Sequence, residues 1–358
     1  MECVYLVSEN GTLSRSNDRF VFKLHDMPDR VIFPHLTRCI ISIGQIQITG
    51  AAFRLLMRKE IPVFFLSRNG KYEGRLSFGE GKNVFLRNKE HVLANDPEWC
   101  LQTAKSIVKG KVLNQMRYVR RICGKSDECD KYYQRLRRYS TRIDDAPDIK
   151  KARGIEGAAA QAYFSALQAN LPEWTMFSGR NMNPPRDPVN SVLSFVYTLL
   201  SYKVESEIII SGMDPSVGTL HSFCYGRNSL AFDIMEQFRT PICDTVTCSL
   251  FNLRILAKED FRIVFANGEE VVDWEPDSAA SGEFNLDNLI RSEMPYAVLL
   301  KSEAAKKVIG ALESKLKEKV AGGNGTSART YESHISEQVR RYKERVLKGC
   351  PYKSFAMK

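Results

Sequence analysis

The feature that most limits what this chain can fold into is a change of period. Up to about residue 85, apolar residues come in short runs rich in β-branched and aromatic side chains. Beyond about residue 99 they recur at helical spacings. CVYLV, TLSRS, RFVFKLH, RVIFP, CIISI and QIQIT are separated by turn formers such as Asn10-Gly11 and Pro28-Asp29. AAFRLLMRK (51–59) interrupts them with helix formers. PVFFLS, the hairpin signal Asn69-Gly70 and KYEGRLSF then resume the pattern. This predicts a small antiparallel β domain with one helix over residues 1–85. Alternation fades between Gly79 and Asn95, which places a linker at 86–98.

The stretch TAKSIVKGKVLNQMRYVRRI sets Ile107, Val108, Val112, Leu113 and Met116 at helical spacing. KARGIEGAAAQAYFSALQ follows with Asp148 as a possible N-cap, and SVLSFVYTLLSYKVESEIII reads as the central helix of the second domain. SEAAKKVIGALESKLKEKV is a charged amphipathic helix. The expected class is therefore α+β, with the small antiparallel β domain followed by a larger all-α C-terminal domain over 99–320. Residues 321–358 are expected to form a flexible hinge, AGGNGTSAR, and a basic helix with Ile335, Val339, Tyr342 and Val346 on one face.

The 358 residues carry 52 Lys+Arg against 42 Asp+Glu, a formal charge of +10. That charge is local. Cys100 to Arg153 holds 15 basic and 6 acidic residues, and Ala321 to Lys358 holds 8 and 3, leaving about −4 for the remainder. Basic stripes interleaved with tyrosines, as in DKYYQRLRRYS, suit a polyanion such as nucleic acid, and each alone also reads as a solvated helix face. No apolar run approaches the ~20 residues of a membrane span. Nine scattered cysteines without a CxxC pair point to reduced thiols and a cytoplasmic protein.

The chemistry concentrates between Gly212 and Asp244. His221 follows a Pro/Gly-rich turn, and Asp233 and Glu236 stand three apart, on one face of a short helix. An imidazole with convergent carboxylates suits a divalent cation. Other readings stay open for each: a packed histidine for His221, and an ordinary pair with Arg239 for Glu236. Glu156, among small residues, needs either a partner arginine or a metal. Asp214 reads as a turn former, and Asp244 as a support near the site, beyond Pro241. His25 and His35 lack nearby acids, and Gly79-Glu80-Gly81-Lys82 lacks the spacing of a phosphate loop. With no serine or cysteine triad and no cofactor loop in evidence, metal-assisted phosphoryl transfer suits the inventory.

QIQITGAAFRLLMRKEIPVFFLSRNGKYEGRL, RGIEG, PVNSVLSFVYTLLSY, GMDPSVGTLH and RNSLAFDIMEQFRTPICD occur in this order across residues 40–245. In them the chain resembles the CRISPR-associated spacer-acquisition nuclease and integrase, the "Cas-one" family. The resemblance implies an N-terminal β domain and a larger helical domain, with Glu156, His221 and Glu236 holding one Mn²⁺ or Mg²⁺ and Asp233 adjacent as support. It also implies joining of DNA 3′-hydroxyl ends into the CRISPR repeat. The implied partners are double-stranded DNA, a second copy of the chain and a small "Cas-two" protein, with no membrane. Gln237 departs from the pattern where a second glutamate is common, and Arg239-Thr240-Pro241 shifts the usual Arg-Pro by one. Two other readings compete: a non-catalytic DNA-binding scaffold, and a stand-alone nuclease of branched DNA in repair.

Overall fold

The computed structural model describes residues 2–24, 27–68, 70–78, 83–124, 127–182, 184–265, 270–271, 296–321 and 328–358. These fall into two compact units. One comprises Met1–Trp99, Thr198–Ile234 and Ser336–Tyr352; the other comprises Cys100–Tyr197, Met235–Ile335 and Lys353–Lys358.

The first unit carries the expected strands: β1 (Glu2–Val7), β2 (Gly11–Ser16), β3 (Arg19–Lys23), β4 (Arg30–Ile32), β5 (Thr37–Ile43), β6 (Ile46–Ile48), β7 (Val63–Leu66) and β8 (Tyr72–Leu76). They build two four-stranded sheets, ordered β1-β5-β7-β8 and β4-β3-β2-β6. The sheets are mixed, which corrects the antiparallel expectation: β1 with β5, β5 with β7 and β2 with β6 run parallel. Alternation fixes which face of a strand is buried but not the direction of its partner. The β2–β4 hairpins and helix α1 (Gly50–Lys59) supply the long crossovers that parallel pairing needs. Thr49 caps α1 by accepting from the Ala52 amide at 3.3 Å. Leu55 and Leu56 of that helix pack with Leu6, Leu13, Phe20 and Ile40 in the core. Gly70, at φ 76°, sits in the β7–β8 hairpin. His25, Asn69 and residues 79–82 lie outside the described residues.

Two expectations change here. Cys3 and Cys39 face each other on β1 and β5, 4.9 Å apart at Cα, and are joined in a disulfide, so this pair is not reduced. Strand register brings together two residues that are 36 apart in sequence. The span expected as linker, 86–98, is instead mostly helix: α2 (Val84–Ala94) and the start of α3 (Pro97–Cys123). The buried side of α2 is only Leu86 and Glu90, too little apolar material to show a period.

Glu90 is 0% exposed. Its Oε2 accepts from the Asp214 amide at 3.0 Å, and its Oε1 has no hydrogen-bond partner among the described residues. Burial pushes this carboxyl from 4.5 up to about 8. The native state thus keeps a proton that the unfolded chain releases, so this contribution to stability is full below pH 4.5 and is lost as pH rises towards 8. Glu90→Gln stays neutral throughout. Its melting advantage over the parent is expected to widen between pH 5 and pH 9, by on the order of 4 kcal/mol. Melting curves across pH check this; a difference constant in pH would contradict it.

The second unit is mainly helical. It contains α4 (Asp127–Arg142), α5 (Ile149–Gln168), α8 (Thr245–Asn252), α9 (Ser302–Lys317) and most of α3. Helices α6 (Pro188–Ile210), α7 (Ser229–Phe238) and α10 (Tyr331–Lys348) give residues to both units. The expectation of an all-α domain misses a small sheet, β10-β9-β11, made from Glu270–Val271, Phe261–Phe265 and Tyr296–Leu300. FRIVF and YAVLL are short β-branched and aromatic runs embedded among helices, so only their strand composition marks them. Lys319–Val320 (β12) and Arg329–Thr330 (β13) pair across the expected hinge, of which residues 322–327 lie outside the described ones. Ile335, Val339, Tyr342 and Val346 are buried as the periodicity of α10 requires. Two of its basic residues pair within the helix, Arg340 with Glu337 and Glu344 and Arg341 with Glu337, while Lys343 and Arg345 donate to the Ser211 and Trp99 carbonyls. Among the described residues no helix is long and apolar enough to cross a membrane.

Candidate active site

In the first unit, the turn after α6 leads to His221. Asp214 Oδ1 accepts from the Ser216 amide at 2.8 Å, the turn-forming role expected of it. Gly218 is required by proximity: a Cβ there would lie 2.6 Å from Ser229 Cβ and 2.9 Å from the His221 carbonyl oxygen. The turn therefore reaches the start of α7 and presents its amides to Asp233. The Thr219, Leu220 and His221 N–H groups donate to that carboxylate at 2.5, 2.9 and 2.9 Å, and the Thr219 hydroxyl at 3.1 Å. His221 Nδ1 donates to it at 2.6 Å. Asp233 is 0% exposed and its oxygens are fully used, which suits it to hold the imidazole rather than to bind anything else. With Nδ1 as donor, the neutral form of the His221 ring has its lone pair at Nε2.

In the second unit, Glu156 of α5 and Glu236 of α7 meet on one ammonium. Lys111 Nζ of α3 contacts Glu156 Oε1, and lies 2.7 Å from Glu236 Oε2. Its side chain is only 8% exposed. Burial disfavours the Lys111 charge, but Glu236 and Glu156 outweigh burial and raise its pKa. Arg239 Nη2 pairs with Glu236 Oε1 at 3.1 Å, the intrahelical pair that the sequence allowed. The side chain facing Glu156 is thus a lysine rather than an arginine, and Glu156 shares it with Glu236.

Sequence reasoning missed Lys111 by counting it within a solvated basic stripe. The signal was present, since residue 111 lies four after Ile107 and three after Val108, on the buried face of α3. Two other departures find structural roles. Gln237, where a second acid was expected, is buried, and its amide oxygen accepts from the Phe355 N–H. Asn114 donates to the Gln237 carbonyl at 2.8 Å and accepts from the Met357 amide at 2.8 Å, tying down the C-terminal tail. Pro241 does not end the helix: Arg239–Asp244 forms a π-helical turn that leads directly into α8. Asp244 accepts from the Tyr163 hydroxyl at 2.7 Å and from that of Tyr197. Burial and the Asp244 charge hold both phenols well above their usual range.

A cavity of about 440 Å³ opens beside Glu156 within this unit, and Lys111, Arg180 and Arg239 line it. Arg180 is fixed by Asn190 Oδ1 at 2.7 Å and Ser194 Oγ at 3.1 Å. The guanidinium groups of Arg180 and Arg239 lie 5.3 and 4.8 Å from the Tyr197 ring centroid. Elsewhere, Arg120 stacks on Tyr133 and Arg121 on Tyr118, so part of the arginine–tyrosine interleaving is internal packing. Among the described residues no group of three or more His, Cys, Asp or Glu side chains is arranged to hold a metal ion.

A strand-rich unit and a mainly helical unit define the class of fold first. Solved structures with this fold are a Cas1 protein from Thermotoga maritima (TM-score 0.76, 23% identity, 97% of each chain) and a casposase bound to integration product (0.78, 21%, 99% of this chain and 93% of that one). A Cas6-RT-Cas1–Cas2 complex matches with a TM-score of 0.80 at 20% identity, over 98% of this chain and 35% of that one. At such identities the likeness is one of fold. The sequence decides the family: residues 4–267 match the family model described as CRISPR associated protein Cas1, and the chain belongs to that family. A CRISPR-associated endonuclease Cas1 of Thermus thermophilus is 37% identical over 222 residues, 62% of this chain and 65% of the relative, just under two thirds of its length. Another, from Rhodospirillum rubrum, is 30% identical over 278 residues, 73% of this chain and 79% of the relative.

Proposed function

We propose that this chain is the DNA-joining and DNA-cutting enzyme of CRISPR adaptation, with Glu156, His221 and Glu236 as the ligands of one divalent cation, Mn²⁺ or Mg²⁺. The observation that carries this reading is the meeting of Glu156 and Glu236, 80 residues apart, on one positive centre beside a cation-lined cavity. Membership of the Cas1 family and the endonuclease names of its relatives support it.

The donor set suits such an ion: two carboxylates already arranged around a cation, and an imidazole whose Nδ1 is engaged so that Nε2 is available. When bound, the ion supplies Lewis-acid stabilisation of charge on the scissile phosphate. The chain's own residues do the rest. Asp233 fixes the ring of His221. Arg239 holds Glu236 in place through its Oε1 at 3.1 Å. Arg180 and Arg239 offer the DNA backbone a positive wall. No protein nucleophile is required: the fragment's 3′-hydroxyl oxygen loses its proton and forms the new P–O bond, while the repeat's own 3′ oxygen leaves and takes up a proton, so bonds and protons balance. Imidazole in the donor set favours Mn²⁺. The proposed partners are double-stranded DNA, a second copy of the chain and a small Cas2-type protein.

The test uses the full chain with its partner and Mn²⁺, on fragments ending in a 3′-hydroxyl or a dideoxy nucleotide. Joining is expected from the hydroxyl ends alone. Equal joining from both would sink the transesterification reading. DNA binding without joining or cutting under any metal would favour the scaffold instead.

A further inference from the structure

We propose that Lys111 is a built-in counter-ion that holds Glu156 and Glu236 together in the metal-free protein and competes with the divalent cation for them. The inference deepens the proposed function and rests on it, because it concerns the same two carboxylates.

The geometry is that of an occupied cation position. Lys111 Nζ touches one carboxylate and lies 2.7 Å from the other, from a side chain almost without solvent access. Its helix is anchored by Ile107, Val108 and Val112, each 0% exposed, so the backbone beneath the ammonium is fixed and only the four-carbon stem can move. Charge counting then sets the direction. Glu156 and Glu236 bring −2, and Lys111 and Arg239 bring +2, so the cluster is neutral as it stands. A divalent ion added without any other change would leave two uncompensated positive charges beside an ammonium whose side chain is only 8% exposed.

That excess can be relieved in two ways: the ammonium withdraws from the carboxylates, or an anion arrives. Both meet in the same cavity, which Lys111 itself lines beside Arg180 and Arg239. A DNA phosphate there would receive the displaced ammonium. Metal and DNA should therefore bind with positive coupling, and the coupling should pass through residue 111.

The experiment is Mn²⁺ titration calorimetry on the full chain, with and without a short duplex, for the parent and Lys111→Met. Lys111→Met is expected to bind Mn²⁺ about tenfold more tightly than the parent without DNA, and to gain less affinity when DNA is added. In EDTA it should melt below the parent, since two carboxylates are left facing each other. Unchanged or weaker Mn²⁺ affinity would overturn the proposal. Should Lys111→Met fail to fold, Lys111→Gln keeps a donor without the charge and carries the same expectation. If the parent binds no Mn²⁺, it is the metal reading of the site that fails; if the parent binds and the variant does not bind more tightly, only the role of Lys111 does.

Discussion

Glu156→Gln is expected to lower both joining and cutting by on the order of a thousandfold while leaving the melting temperature nearly unchanged. The two halves of that expectation have separate causes. Under the proposed function, the carboxylate is a ligand, and the neutral amide oxygen is a far weaker one. Structurally, the loss is modest, because Lys111 keeps Glu236 at 2.7 Å and the glutamine oxygen can still accept from its ammonium. The Glu156 side chain is also 25% exposed, so water compensates part of the change. Metal titration, DNA processing and melting on one preparation check all three. Wild-type processing rates with intact DNA binding would remove Glu156 from the chemistry and leave the scaffold reading in place.

How much of this was legible beforehand depends on what each signal encodes. Period-two runs located the eight described strands of the first unit because β-branched side chains and turn dipeptides mark strands locally. Their pairing direction is set by crossovers tens of residues long, and no local pattern records that. The α10 helix was legible because four apolar residues at helical spacing must share a face, and all four are buried. Helix α2 was not, since half of its buried side is the carboxyl-bearing Glu90. At the site, His221, Asp233 and Glu236 stood out by residue type within one short stretch, and family resemblance singled out Glu156. Lys111 was hidden by its own chemistry: a lysine in a basic run reads as solvated, and only its phase relative to Ile107 and Val108 betrays burial. The Cys3–Cys39 pair was hidden differently, by a strand register that spacing alone does not fix.

Asp233→Asn should produce the second large effect, and here stability and activity fall together. The buried carboxylate accepts from three backbone amides, a hydroxyl and an imidazole, every one of them a donor. An asparagine must turn its own NH₂ towards some of these donors. The expected destabilisation is about 3 kcal/mol or more, from lost charge-assisted hydrogen bonds and amides left unpaired. Activity should fall by a further 10- to 100-fold among molecules that remain folded, the usual scale when the group orienting a ligating histidine is removed. A double-mutant cycle with His221→Ala separates the two contributions. If Asp233 acts on the reaction through His221, Asp233→Asn in the His221→Ala background should cost little additional activity. Most of its stability loss should remain, because the Thr219, Leu220 and His221 amides still face it. A full additional activity loss in that background would instead give Asp233 a role of its own in the chemistry.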